Sequence, residues 1–189
     1  MPKISWKITS TVALVVFVIV AAMVAPVRFA SAGSEGADYD FLIGTGFLCG
    51  LDPSACPDIA RADNGDTIEI TGSGALSTHP KSVSGGGSFT HKDASGGVLA
   101  SGTWTADQLV SFQGYGCGGD GLPSFLCGGR AIIKVTLWVG GVPVHTGLLQ
   151  VDCLIGDKIP AAATEGVRLS VQDALNFNKE VSGFTVFVD

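Results

Sequence analysis

Residues 130–139 alternate side chains with a period of two. Ala131, Ile133, Val135, Leu137 and Val139 fall on one face, and Lys134, Thr136 and Trp138 on the other. Only an extended chain puts every second side chain on one side, so this run is a half-buried β-strand. The same pattern returns in Thr67–Thr71 and in Val167, Leu169 and Val171, and Phe184, Val186 and Val188 form the last strand. Glycine, present 27 times, punctuates these runs, and no long amphipathic helical stretch follows the N-terminal segment. About eight to ten short strands between Gly-rich turns predict an all-β chain, a single antiparallel β-sandwich or small β-barrel with meander connections.

Local turn chemistry adds register. Asn64-Gly65 precedes Thr67 and marks a hairpin, because both residues tolerate positive φ. Gly140-Gly141 predicts a two-residue turn joining Arg130–Val139 to Val142–Cys153, with Val139 opposite Val142. The apolar phase then changes, from Val142 and Val144 to Leu149, Val151 and Cys153. One bulge near Thr146-Gly147 repairs it. Past the bulge Ile133 faces Leu149, Ala131 faces Val151, and Gly129 faces Cys153, while His145 falls opposite Thr136 on the non-core face. A weak repeat centred on Leu76, Phe89 and Trp104, each two residues after a glycine, predicts equivalent core positions on neighbouring strands.

The N-terminus reads as an export signal. Lys3 and Lys7 precede an apolar run from Val12 to Ala25, and Ala30-Ser31-Ala32 offers a small-residue cleavage site. The run is shorter than the roughly 20 apolar residues of a membrane span and is followed by Pro26 and Arg28. Residues 1–32 are therefore expected to be a signal peptide and 33–189 a secreted β-rich domain, extracellular or periplasmic. An uncleaved segment would leave the chain membrane-anchored. Losing Lys3, Lys7 and Arg28 leaves 8 basic residues against 17 acidic ones, a mature charge of −9. Such a surface repels phosphate backbones, which argues against nucleic acid as a partner.

Five cysteines in an exported chain suggest two bridges and one thiol left over. Cys49 and Cys56 span a turn-rich stretch. Cys117 and Cys127 flank a Gly- and Pro-rich loop, both outside the strands predicted here. Cys153 sits among Val151 and Ile155 as a small buried hydrophobe. The expected bridges are thus Cys49–Cys56 and Cys117–Cys127.

Motifs of catalysis and metal binding are sparse. Gly116-Cys117-Gly118-Gly119-Asp120-Gly121 matches a nucleotide-binding fingerprint in letters, but Leu122-Pro123 follows where a helix is required. Asp58, Asp63, Asp66 and Glu69 gather around Asn64-Gly65, where oxygen ligands could hold calcium; turn formation explains the same residues, so no metal and no cofactor is assigned. The candidate ligand-binding residues are Lys134, Thr136 and Trp138 on the outer face, with His145 beside them, because an exposed Trp near cations is a recognition feature. A second sheet over that face would instead make Trp138 core. Three functions remain open: a non-enzymatic domain with a binding, surface or matrix role toward a protein, glycan or small ligand; a barrel carrying a small apolar ligand; and a secreted hydrolase. The second needs a deep apolar cavity. The third needs a His converging with a carboxylate or Ser in one cleft.

Overall fold

The alternating runs become strands. The computed structural model describes residues 36–119 and 121–189, so the expected signal segment and Asp120 lie outside the described residues. Ten antiparallel strands form one sheet: β1 (Asp38–Ile43), β2 (Asp58–Ala62), β3 (Thr67–Thr78), β4 (Lys81–Lys92), β5 (Val98–Gly119), β6 (Leu122–Val139), β7 (Val142–Cys153), β8 (Gly166–Val171), β9 (Asn176–Ser182) and β10 (Thr185–Val188). One short helix, α1 (Leu48–Leu51), and a 3-10 turn at Pro53–Ala55 lie between β1 and β2.

Strands β2 to β9 pair in chain order, and β9 pairs back onto β2. That closes an up-and-down ring of eight strands, the arrangement that removes free sheet edges. The terminal strands extend it at one end. β1 lies along Gly72–Ser77 of β3, past the reach of β2, and β10 meets Leu126 and Cys127 of β6, past the reach of β7. They also pair with each other, from Asp40–Val188 to Ile43–Thr185. The ring therefore has one end walled in by β1 and β10 and another end left as a mouth.

Glycine explains how a narrow ring holds large side chains. Leu76, Phe89 and Trp104 are all buried, but they do not share a rung: Leu76 faces Val83, Phe89 faces Gly102, and Trp104 faces Gly87. A methyl group at Gly72 would lie 2.3 Å from Trp104 Cζ2, and one at Gly74 would lie 2.6 Å from Phe41 Cζ. The Phe41 ring lies over a glycine of the neighbouring strand and the Trp104 ring over a glycine two strands away, so large and small positions alternate across the interior. The Trp104 indole N–H donates to the Thr71 carbonyl at 3.0 Å, which satisfies its one polar atom.

The β6–β7 hairpin follows the expected register with one correction. Gly140 and Gly141 take φ of +59° and +79°, Val139 faces Val142, and Gly129 faces Cys153. The bulge, however, falls at Val144, because Trp138 faces Pro143 and Leu137 faces His145. Pro143 has no N–H to give the ladder, so the extra residue is accommodated beside it and not at Thr146-Gly147. His145 consequently faces Leu137, not Thr136, and shares the inward parity of Leu149.

Both expected disulfides form, Cys49–Cys56 and Cys117–Cys127, and Cys153 is free and buried. The stretch around Cys117 is strand, not loop: β5 runs to Gly119, and Cys117 lies directly opposite Cys127. Its glycines hid this, since Gly116 and Gly118 hold left-handed φ of +112° and +67° at bulges in a continuing ladder. Burial and nearby Glu165 push the Cys153 thiol well above the ordinary range. Native protein should leave Cys153 unmodified by a maleimide over hours, with one thiol per chain titrating after denaturation. Rapid native labelling, or a disulfide-linked peptide containing Cys153, would contradict this placement.

Candidate functional site

The open mouth is formed where β3, β5, β7 and β9 begin and β4, β6 and β8 end. Inward parity brings Ile68, Phe89, Ala100, Leu137, Val171 and Phe177 to one place, capped by Ala174 and Leu175 from the β8–β9 turn. They enclose a pocket of about 360 Å³, inside the range that small-molecule sites occupy. Ten of its twelve lining residues are apolar; the other two are His91 and His145.

His91 is held from two sides. Its Nε2 lies 3.0 Å from Asp66 Oδ2, and its ring stands edge-on to Phe177 with centroids 5.3 Å apart. Asp66 is itself fixed in the β2–β3 turn, where its backbone N–H donates to Asn64 Oδ1 and its carbonyl accepts from the Ala62 N–H. Period two makes His91 legible in retrospect. It stands two residues after Phe89 on the same strand face, opposite Ile68.

The four residues singled out in sequence divide between two faces. Lys134, Thr136 and Trp138 stay outside, where Thr136 Oγ1 donates to Asp107 at 2.7 Å and Trp138 Nε1 donates to Thr105 Oγ1 at 3.1 Å. No second sheet covers them among the described residues. His145, carried inward by the bulge at Val144, belongs to the pocket rim. The carboxylates near Asn64-Gly65 also separate. Asp66 pairs with His91, Glu69 with Lys92, and Asp63 with Lys179, while Asp58 is buried at the opposite end of the ring.

That closed end holds a polar seam. Asp152, fully buried, accepts from Tyr115 Oη at 2.8 Å, Arg130 Nε at 2.7 Å and Gln150 Nε2 at 2.8 Å. Burial and the Asp152 bond push the Tyr115 hydroxyl up to about 12. A carboxylate with three donors is a satisfied structural centre. Asp58 is different. Its Oδ1 accepts from the Val167 N–H at 3.1 Å, but its Oδ2 has no partner among the described residues. Burial, with Glu165 and Glu180 nearby, pushes Asp58 up to about 7.

Neither a protein-family model, nor a curated protein, nor a solved structure matches the chain. The site alone bears on function.

Proposed function

We propose that this protein is an exported barrel that binds a small, largely apolar molecule in the mouth of its eight-stranded ring. The observation that carries this reading is the 360 Å³ pocket walled by ten apolar residues, with polarity confined to His91 and His145. Burying such a wall favours binding at roughly 25 cal/mol per Å² of apolar surface removed from water, less the cost of fixing the ligand. The lining offers no Ser, Thr or Cys that could act as a nucleophile on a bound ester or amide. The His91–Asp66 pair does meet the geometric demand of acid–base chemistry, and it keeps hydrolysis as a second reading. Hydrolysis of 1-naphthyl acetate that His91→Phe abolishes would favour that reading.

The two disulfides fit an oxidising, extracellular environment, and no helix among the described residues is long and apolar enough to cross a membrane. Export itself rests on the N-terminal pattern. Protein recovered from its native host should begin at Gly33, and N-terminal sequencing checks this; intact Met1 in the membrane fraction would contradict it.

Binding is tested with N-phenyl-1-naphthylamine, whose fluorescence rises in apolar surroundings. Saturable enhancement is expected with a Kd of ~10 μM, in line with a modest ligand efficiency for a molecule of this size. Ala100→Trp, at a partly exposed wall position, fills the pocket and should weaken binding about tenfold or more while leaving the thermal midpoint near that of the parent. No saturable signal, or one unchanged in Ala100→Trp, would refute the proposal.

A further inference from the structure

We infer that the occupant of the mouth carries a hydroxyl group, an alcohol or a phenol, that donates to Nδ1 of His91; this rests on the mouth being a ligand site. The chemistry follows from one contact. Asp66 Oδ2 stands 3.0 Å from His91 Nε2, and a carboxylate only accepts hydrogen bonds. The Nε2 nitrogen therefore carries the proton, and in the neutral ring Nδ1 is left as a lone-pair acceptor. Nδ1 has no hydrogen-bond partner among the described residues. Two contacts hold this orientation: Phe177 stands edge-on to the ring at 5.3 Å, and Asp66 is fixed in its turn by Asn64 and Ala62.

His91 lines the pocket and its Nε2 is turned to Asp66, so Nδ1 is the ring's remaining polar atom toward an occupant, and an apolar body filling the pocket displaces water from it. A ligand that returns no hydrogen bond leaves a desolvated acceptor against hydrocarbon, which opposes binding. A hydroxyl restores the bond. An ether cannot, and a carboxylate places acceptor against acceptor beside the Asp66 charge. His145 does not supply the same discrimination, because it is exposed at the rim and stays hydrated. The pocket thus selects within apolar molecules by the presence of one donor.

The test displaces N-phenyl-1-naphthylamine at pH 8 with 2-naphthol, 2-methoxynaphthalene and 2-naphthoate, three molecules with one ring system and different heads. The naphthol should bind about fivefold or more tightly than the ether, as one added hydrogen bond implies, with naphthoate weakest. His91→Phe keeps an apolar wall and should make naphthol and ether equal. If the ether matches the naphthol in the parent protein, or the preference persists in His91→Phe, the hydroxyl inference is overturned while the ligand site stands. If neither the fluorophore nor any of the three binds, both fall. A readout that needs no variant is the tautomer: long-range 1H–15N correlation of the free protein should place the His91 proton on Nε2, with the Nδ1 resonance moving on addition of 2-naphthol. A proton on Nδ1 in the free protein would overturn the inference.

Discussion

Trp104→Ala should lower the unfolding free energy by about 3–5 kcal/mol, the range for deleting a large buried aromatic. Trp104 is 2 % exposed in the middle of the ring, with its indole over Gly72 and opposite Gly87. Neither glycine has a side chain to move into the space left behind. The site therefore collapses poorly, and the cost belongs toward the upper part of that range. The freed Thr71 carbonyl adds a further penalty where water does not reach it. Denaturant midpoints, with the slope unchanged, measure the effect. A shift equivalent to less than about 1 kcal/mol would mean that Trp104 does not fill the interior. Trp104→Phe should cost less, since it keeps one aromatic ring in the interior while losing the N–H bond and part of the indole's volume.

The second large effect is on pH. Raising pH from 5 to 8.5 should remove about 2–3 kcal/mol of stability through Asp58 alone. Its ordinary value is 3.8 and its folded value is about 7, so the folded state holds the proton more tightly. The stabilisation is fully present below 3.8, declines between there and 7, and is gone above 7. The causes are burial first, then the negative charges of Glu165 and Glu180, set against the Val167 N–H that stabilises the ionised form. Glu165, also raised by burial, acts in the same direction. Asp52 and Asp93, lowered by bonds from Ser54 and from Ser95 and Gly97, change protonation below this window and leave it unaffected. Asp58→Asn should flatten the slope and exceed the parent in stability at pH 8.5. Denaturant midpoints that rise from pH 5 to pH 8.5, or a slope undiminished in Asp58→Asn, would contradict a buried carboxylate whose Oδ2 has no partner among the described residues.

Much of this barrel could be read from side-chain periodicity. The β6 face from Ala131 to Leu137, the Gly140-Gly141 turn and the facing of Gly129 and Cys153 follow from period two and turn chemistry, which are local. Two things were not local. The stretch from Gly114 to Gly119 reads as loop by composition, yet a partner strand keeps it in the ladder. The position of the β7 bulge depended on where the ladder was weakest, at Pro143, and a difference of two residues moved His145 from the outer face to the pocket rim. The outer patch of Lys134, Thr136 and Trp138 was correctly oriented by parity, but parity cannot report a cavity. The pocket arises from closure of β9 onto β2, a pairing between residues more than a hundred positions apart, for which the sequence carries no local signal.

The mouth as a ligand site is tested most directly by methyl NMR of the mature protein titrated with N-phenyl-1-naphthylamine. Saturable shifts should be confined to the methyls of Ile68, Leu137, Val139, Val171 and Leu175 around the mouth. The groove at the opposite end, about 480 Å³ and lined by Asp38, Asp40, Ser82 and Val83, should stay silent. Shifts centred on Leu76 and Val83, or no saturable shift anywhere, would contradict it.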